Sequence, residues 1–188
     1  MRLPYVPNPP HPANADEAAI IERLIARRDP GPLQSLDLTL LHAPAIADGW
    51  ASFLGAVRNK SSLPADIRET AILRVAVLTG SKYEVNEHTP YAQRVGVRER
   101  GLREIFEGRK LAKSEGEGLS EQQWVTVRFA EVMTKDIIVS DEVFKGVRNF
   151  LNDKQVVELT ATVAAINCAA RFLRALDVGE FDKKEAVQ

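Results

Sequence analysis

A chain of 188 residues is long enough for one domain with a sizeable core, or for two small helical halves that share one. Its 25 basic and 26 acidic residues leave a net charge of −1 with no basic block, which argues against a nucleic-acid partner. Hydrophobic residues make up 45%, an ordinary globular share; no apolar run approaches the ~18 residues of a membrane span, and the proline-rich opening lacks the apolar centre of a secretory signal.

The sequence therefore predicts a cytoplasmic protein in three parts: an arm over 1–13, a helical domain over 14–180 and a tail over 181–188. Proline-rich arms of this kind drape over a neighbouring subunit or stay disordered. Asn14 and Glu17 make a capping-box-like pair that opens a helix running to about Arg28, before the Asp29-Pro30-Gly31-Pro32 break. Further helical stretches cover about Leu36 to His42 and Ala45 to Lys60, the second placing Ile46, Trp50, Leu54 and Val57 on one face. Pro64 suits the first turn of the next helix, with Asp66 and Glu69 near its positive end. From Ala71 to Leu78 that helix is apolar nearly all round, which predicts a central position.

Thr79-Gly80-Ser81 breaks the pattern before a helix from about Lys82 to Val95, in which Pro90 frees the carbonyl of Asn86 and favours a kink after His88. A short helix over Arg98 to Glu107 and a polar linker over Lys110 to Gly118 follow. Ser120 with Gln123 caps a helix to about Lys135. Ile137-Ile138-Val139 is an apolar link, Ser140 caps a helix to Leu151, and Asn152 with Gln155 caps a last one to about Leu176. There Val156, Leu159, Val163, Ile166, Ala170 and Leu173 step by three and four, a core or oligomer stripe. No segment reads as a strand, so the fold class is all-α. The single cysteine, Cys168, lies in this apolar run and reads as a buried, inert thiol.

One stretch carries chemistry. Glu84 and His88 are four apart and share a helix face, which Ser81 joins if the helix begins that early. Arg74 sits in the middle of an apolar helix, where an unpaired charge is costly, so a carboxylate must meet it; Glu84 or another segment is available. A buried arginine, two glutamates, a tyrosine and a histidine at one helix junction make an acid–base pocket, or else a structural ion-pair network.

Arg68-Glu69-x-x-Ile72-Leu73-Arg74-Val75, followed by Gly80-x-x-Tyr83-Glu84-x-x-x-His88, resembles the central motif of the carboxymuconolactone decarboxylase and alkyl hydroperoxidase D-like family. Leu151 to Thr160, Asn167 and Ala170-Arg171-Phe172-Leu173 resemble the C-terminal half of longer members; Thr39 to Pro44 and the Trp50 segment resemble their N-terminal region. The resemblance implies an oligomeric multi-helical fold. It also places Glu69 at the glutamate of the peroxidase branch, Ser81 and Glu84 at its two cysteines, His88 at its histidine and Tyr83 in its proton relay. With both sulfurs replaced, dithiol peroxide reduction is excluded.

What remains resembles the decarboxylase-like branch, which implies a cofactor-free carboxy-lyase or isomerase acting on an unsaturated lactone or related acid. In that reading His88, Glu84, Glu69 and Tyr83 are the catalytic set, and Arg74, Ser81, His42 and Trp50 bind the small-molecule substrate. Val85 and Glu87 stand where many members of that branch have tryptophan and histidine. These departures favour an alternative, a non-catalytic oligomeric member. A second alternative is a metal site of Glu69, Glu84 and His88, with His42 as a further imidazole. The resemblance and the apolar stripes imply a homo-oligomer: a dimer, trimer or hexamer.

Overall fold

The structure, a computed structural model, describes residues 1–111 and 117–179; the expected tail over 181–188 and the middle of the expected linker, 112–116, lie outside them. Among the described residues the chain is all-α. It forms α1 (Ala15–Arg28), α2 (Ser35–Leu40), α3 (Pro44–Asn59), α4 (Ala65–Leu78), α5 (Lys82–Arg94), α6 (Glu99–Glu107), α7 (Glu121–Lys135), α8 (Asp141–Arg148) and α9 (Asp153–Leu176). Side-chain caps set the starts of several helices. Asn14 accepts from the Glu17 N–H at 2.9 Å, and Ser120 and Gln123 cap each other reciprocally. Asn152 and Gln155 do the same across 3.0 and 3.1 Å. α8 ends earlier than its pattern suggests: the Asn149 N–H is shared between the carbonyls of Lys145 and Gly146, and the Phe150 N–H donates to the Val147 carbonyl three residues back.

Two compact units divide the chain. The first, Met1–Asn59 with Leu173–Gln188, contains α1, α2 and α3, and α3 packs against both of the others. Its core face on α3 is Ala47, Leu54 and Val57, whereas Ile46 is exposed. The proline-rich arm is tied to its own chain. Val6 N–H donates to the Leu38 carbonyl, Arg2 N–H to that of Leu176, and Gly179 N–H to the Tyr5 hydroxyl.

The second unit, Lys60–Phe172, is built around α4, which packs against α5, α6 and α7. Being covered on several sides, α4 buries every residue from Glu69 to Ala76, and its near-continuous apolar run follows from that position. Leu73, Ala92, Val97, Leu102, Ile105 and Val127 form one buried cluster joining these helices.

The 24-residue α9, with a mean hydropathy of 1.5 over its most apolar stretch, is long and apolar enough to cross a bilayer. This corrects the expectation that no such run exists. The charges of α9 gather at its ends and leave 159–170 without any. Half of the stretch is buried, as in the core helix of a folded domain, with Leu159, Val163, Ile166 and Ala170 inside. Cys168 departs from expectation too: it is exposed. It lies about 200° round the helix from Ile166 at 100° per residue, and neighbouring alanines make both faces look alike in sequence.

Glu104, only 1% exposed, ties the two described ends of the linker to α6. Its carboxylate accepts from the Leu111 N–H at 2.9 Å and the Leu119 N–H at 2.7 Å. The Arg100 guanidinium donates to it at 3.2 Å. A Cβ on Gly118 would overlap this carboxylate, so a side chain there would displace Glu104 from its donors. Burial pushes the Glu104 carboxyl up, but the two backbone donors and Arg100 outweigh it and hold the group below its ordinary value of 4.5. A carboxyl depressed in the folded state stabilises the fold above its ordinary value, and that contribution is lost as pH falls through the lower, folded value. Thermal unfolding followed from neutral to acid pH should therefore show Glu104→Gln melting below the parent at pH 7. The gap should close in acid; a constant gap would count against the linkage.

Candidate functional site

α4 and α5 form a helical hairpin whose turn is set by Gly80, at φ +65°, a left-handed value glycine adopts without strain. The Ser81 N–H closes the turn on the Ala76 carbonyl at 2.8 Å, and Ser81 becomes the N-cap of α5. From there Ser81, Glu84 and His88 step by three and four along one face, and all three are buried. The hairpin brings this face against α4 at Glu69.

The result is a buried carboxylate–imidazole–carboxylate cluster. His88 Nδ1 lies 2.7 Å from Glu69 Oε2, and His88 Nε2 lies 3.3 Å from Glu84 Oε2. Exposure is 1% for His88, 4% for Glu69 and 6% for Glu84. Arg68 Nε donates to the other oxygen of Glu69 at 3.3 Å. The Nδ1 contact to Glu69 is a hydrogen bond, whereas Nε2 lies within ion-pair distance of Glu84; the one ring hydrogen of a neutral imidazole can serve the first. Ser81 Oγ is buried beside this set on α5 with no hydrogen-bond partner.

Of the residues expected at the site, Glu69, Glu84, His88 and Ser81 come together, and Tyr83 is half-buried one residue before Glu84. Arg74 does not join them. Its Nη1 donates to the Ile105 carbonyl at 2.7 Å and to that of Phe106 at 3.3 Å, while Nη2 is paired with Glu131. The carboxylate that Arg74 needs thus comes from α7, and its guanidinium caps the negative end of α6. Gly108, the left-handed C-cap of α6, lies so close that a Cβ would fall on that guanidinium. His42 and Trp50 belong to the first unit, where His42 Nε2 contacts the Pro4 carbonyl at 2.6 Å. Among the described residues no group of three or more His, Cys, Asp or Glu side chains is arranged to hold a metal ion.

Two residues at the cluster escape the sequence patterns. Arg68 precedes Glu69 directly, a spacing that does not normally face side chains together on a helix. Tyr91 places its ring centroid 5.9 Å from that of His88, tilted by 44°, and Arg94 covers the Tyr91 ring at 4.2 Å. The three-residue step from His88 to Tyr91 was the available signal. α5 runs on through Pro90.

The sequence profile of the carboxymuconolactone decarboxylase family matches residues 44–113, which include the whole cluster. No curated protein sequence matches the chain. An uncharacterized peroxidase-related protein from Ralstonia eutropha JMP134, with an alkylhydroperoxidase AhpD core, superimposes with a TM-score of 0.76 at 16% identity, over 94% of this chain and 90% of that one. A peroxidase-related protein from Silicibacter sp. TM1040 gives 0.71 at 14%, over 93% and 91%. The debrominase Bmp8, in complex with a tribromopyrrole, gives 0.69 at 16%, over 89% and 88%. At these identities the superpositions establish the AhpD-like fold alone. The segment that holds the α4–α5 cluster is similar to the carboxymuconolactone decarboxylase family, and the chain has the AhpD-like fold.

Proposed function

We propose that the protein is a cofactor-free acid–base enzyme acting on an unsaturated lactone or related carboxylic acid, by proton transfer with or without decarboxylation and without thiol peroxidase chemistry. The observation that carries this reading is His88, buried and held between Glu69 and Glu84. His88 delivers the proton, Glu69 fixes the ring through Nδ1 and serves as a second acid–base group, and Glu84 tunes the other nitrogen. In a decarboxylation the carbon–carboxylate bond breaks and carbon dioxide leaves. Its electron pair enters the conjugated lactone as an enolate, and carbon then takes the proton from His88. Ser81 supports the reading as a buried hydroxyl with no hydrogen bond of its own to satisfy, available to a substrate oxygen. The debrominase among the structural neighbours supports catalysis on this fold. A homo-oligomer in the cytosol is part of the same proposal, resting on the family likeness.

The test is turnover of a carboxylated unsaturated γ-lactone, followed by loss of its ultraviolet absorbance and by carbon dioxide release. His88→Gln is expected to lower the rate about 10²–10⁴-fold with the fold intact. A folded His88→Gln protein that works at the parental rate removes His88 from the chemistry. The approach of a carboxylate to each His88 nitrogen favours a second reading, a structural network in a non-catalytic family member. In that case the parent shows no turnover of any such lactone, and His88→Gln alters stability alone.

A further inference from the structure

α1 and α3 pack side by side in the first unit, and a groove of about 670 Å³ opens against them, lined by Arg23, Leu24, Arg27, Asp48, Ala51 and Ser52 among others. The charges of this groove are unevenly matched. Arg23 takes both oxygens of Asp48, at 3.1 and 2.9 Å, and that pair is neutral. Arg27 has no such partner. Its Nη1 donates to the Ala51 carbonyl at 3.3 Å, and the carboxylate paired with it, Asp37, stands 3.7 Å away.

Asp37 is already committed. Arg28 grips it with two parallel bonds of 2.7 and 3.0 Å, and the Gln34 N–H donates to it as well. One buried carboxylate therefore faces two guanidinium groups, and Arg58 adds a third positive charge near Arg27. Burial, with repulsion from Arg28 and Arg58, lowers the Arg27 guanidinium from its ordinary value, and Asp37 offsets this only in part. Arg27, its side chain 27% exposed, is short of a counter-charge beside an open groove.

We propose that this groove is an anion-binding site, in which Arg27 grips the carboxylate or phosphate group of a small ligand whose apolar body lies against Leu24 and Ala51. The guanidinium fork presents paired donors to two oxygens of one group, and the Ser52 hydroxyl at the rim is a further donor. The neutral Arg23–Asp48 pair closes one side and excludes a second anionic group there, so a single charged head on a compact apolar body fits best. The Glu69–His88–Glu84 cluster plays no part in this site, and the inference stands apart from the proposed reaction.

The full chain is titrated with inorganic phosphate and, separately, with succinate. Sodium chloride holds the ionic strength fixed, so that general screening cancels, and backbone amide shifts are followed by NMR. Saturable shifts led by Arg27, Ala51 and Ser52 are expected. Saturation by phosphate alone identifies a phosphate ester as the ligand class, by succinate alone an organic acid, and by both any two-oxygen anion. Arg27→Gln should weaken binding at least tenfold, and Arg27→Lys, which keeps the charge and loses the fork, should fall between. The proposal is overturned if neither anion saturates, if shifts centre elsewhere in the parent, or if Arg27→Gln binds as tightly as the parent.

Discussion

Glu131→Ala is expected to cost about 3–5 kcal/mol of folding stability, the range for removing one partner of a buried ion pair. Glu131 lies outside the candidate site, and its effect comes from what it leaves behind. Arg74 is 5% exposed in the middle of α4. Without Glu131 its charge would keep only the carbonyls of Ile105 and Phe106, which ease the loss without neutralising it. Glu131→Gln keeps a hydrogen-bond acceptor and should fall between the parent and the alanine variant. Urea unfolding measures the difference; a loss near that of an ordinary surface substitution, within about 0.5 kcal/mol, would show that Arg74 is neutralised by something else. The same clamp predicts no change in the rate constant of any reaction at His88, which separates it from the site.

Glu69→Ala should cost a comparable amount, about 3 kcal/mol, and should also abolish the proposed lactone turnover. The carboxylate lost is the nearer of the two that hold His88, at 2.7 Å against 3.3 Å for Glu84. It is also the partner of Arg68. The variant therefore strands a ring nitrogen and loosens an arginine in one step. Glu84→Ala removes the longer contact, near the start of α5, and should cost less stability. If the two alanine variants unfold at the same urea concentration, the difference in contact length does not govern the energetics of the cluster.

The legible part of the fold is the part governed by local rules. Capping pairs such as Ser120–Gln123 and Asn152–Gln155 set helix starts in the order the sequence presents them, and the four-residue step from Glu84 to His88 puts one carboxylate on the ring. The resemblance places Glu69 at the same site. Contacts set by tertiary packing were not legible. Arg74 announces by its burial that it needs a carboxylate, yet Glu131 is 57 residues away, and no spacing rule distinguishes it from Glu84. Arg68 was hidden for the opposite reason, being adjacent to Glu69 where helix geometry discounts a contact. Ile46 was assigned to the wrong side of α3 because a stripe stepping by four also admits the neighbouring face, the one that carries Ala47. On α9 small residues run round the whole circumference, and sequence alone does not divide its inner face from its outer one.

That outer face leaves the protein with an exposed thiol and no other cysteine in the chain. A maleimide dye or nitroxide added to the unaltered protein would attach at one address, on a long helix whose buried side is fixed by Val163 and Ile166. Distances measured between labels on separate copies would then report directly how, and whether, two chains approach one another, with no residue changed.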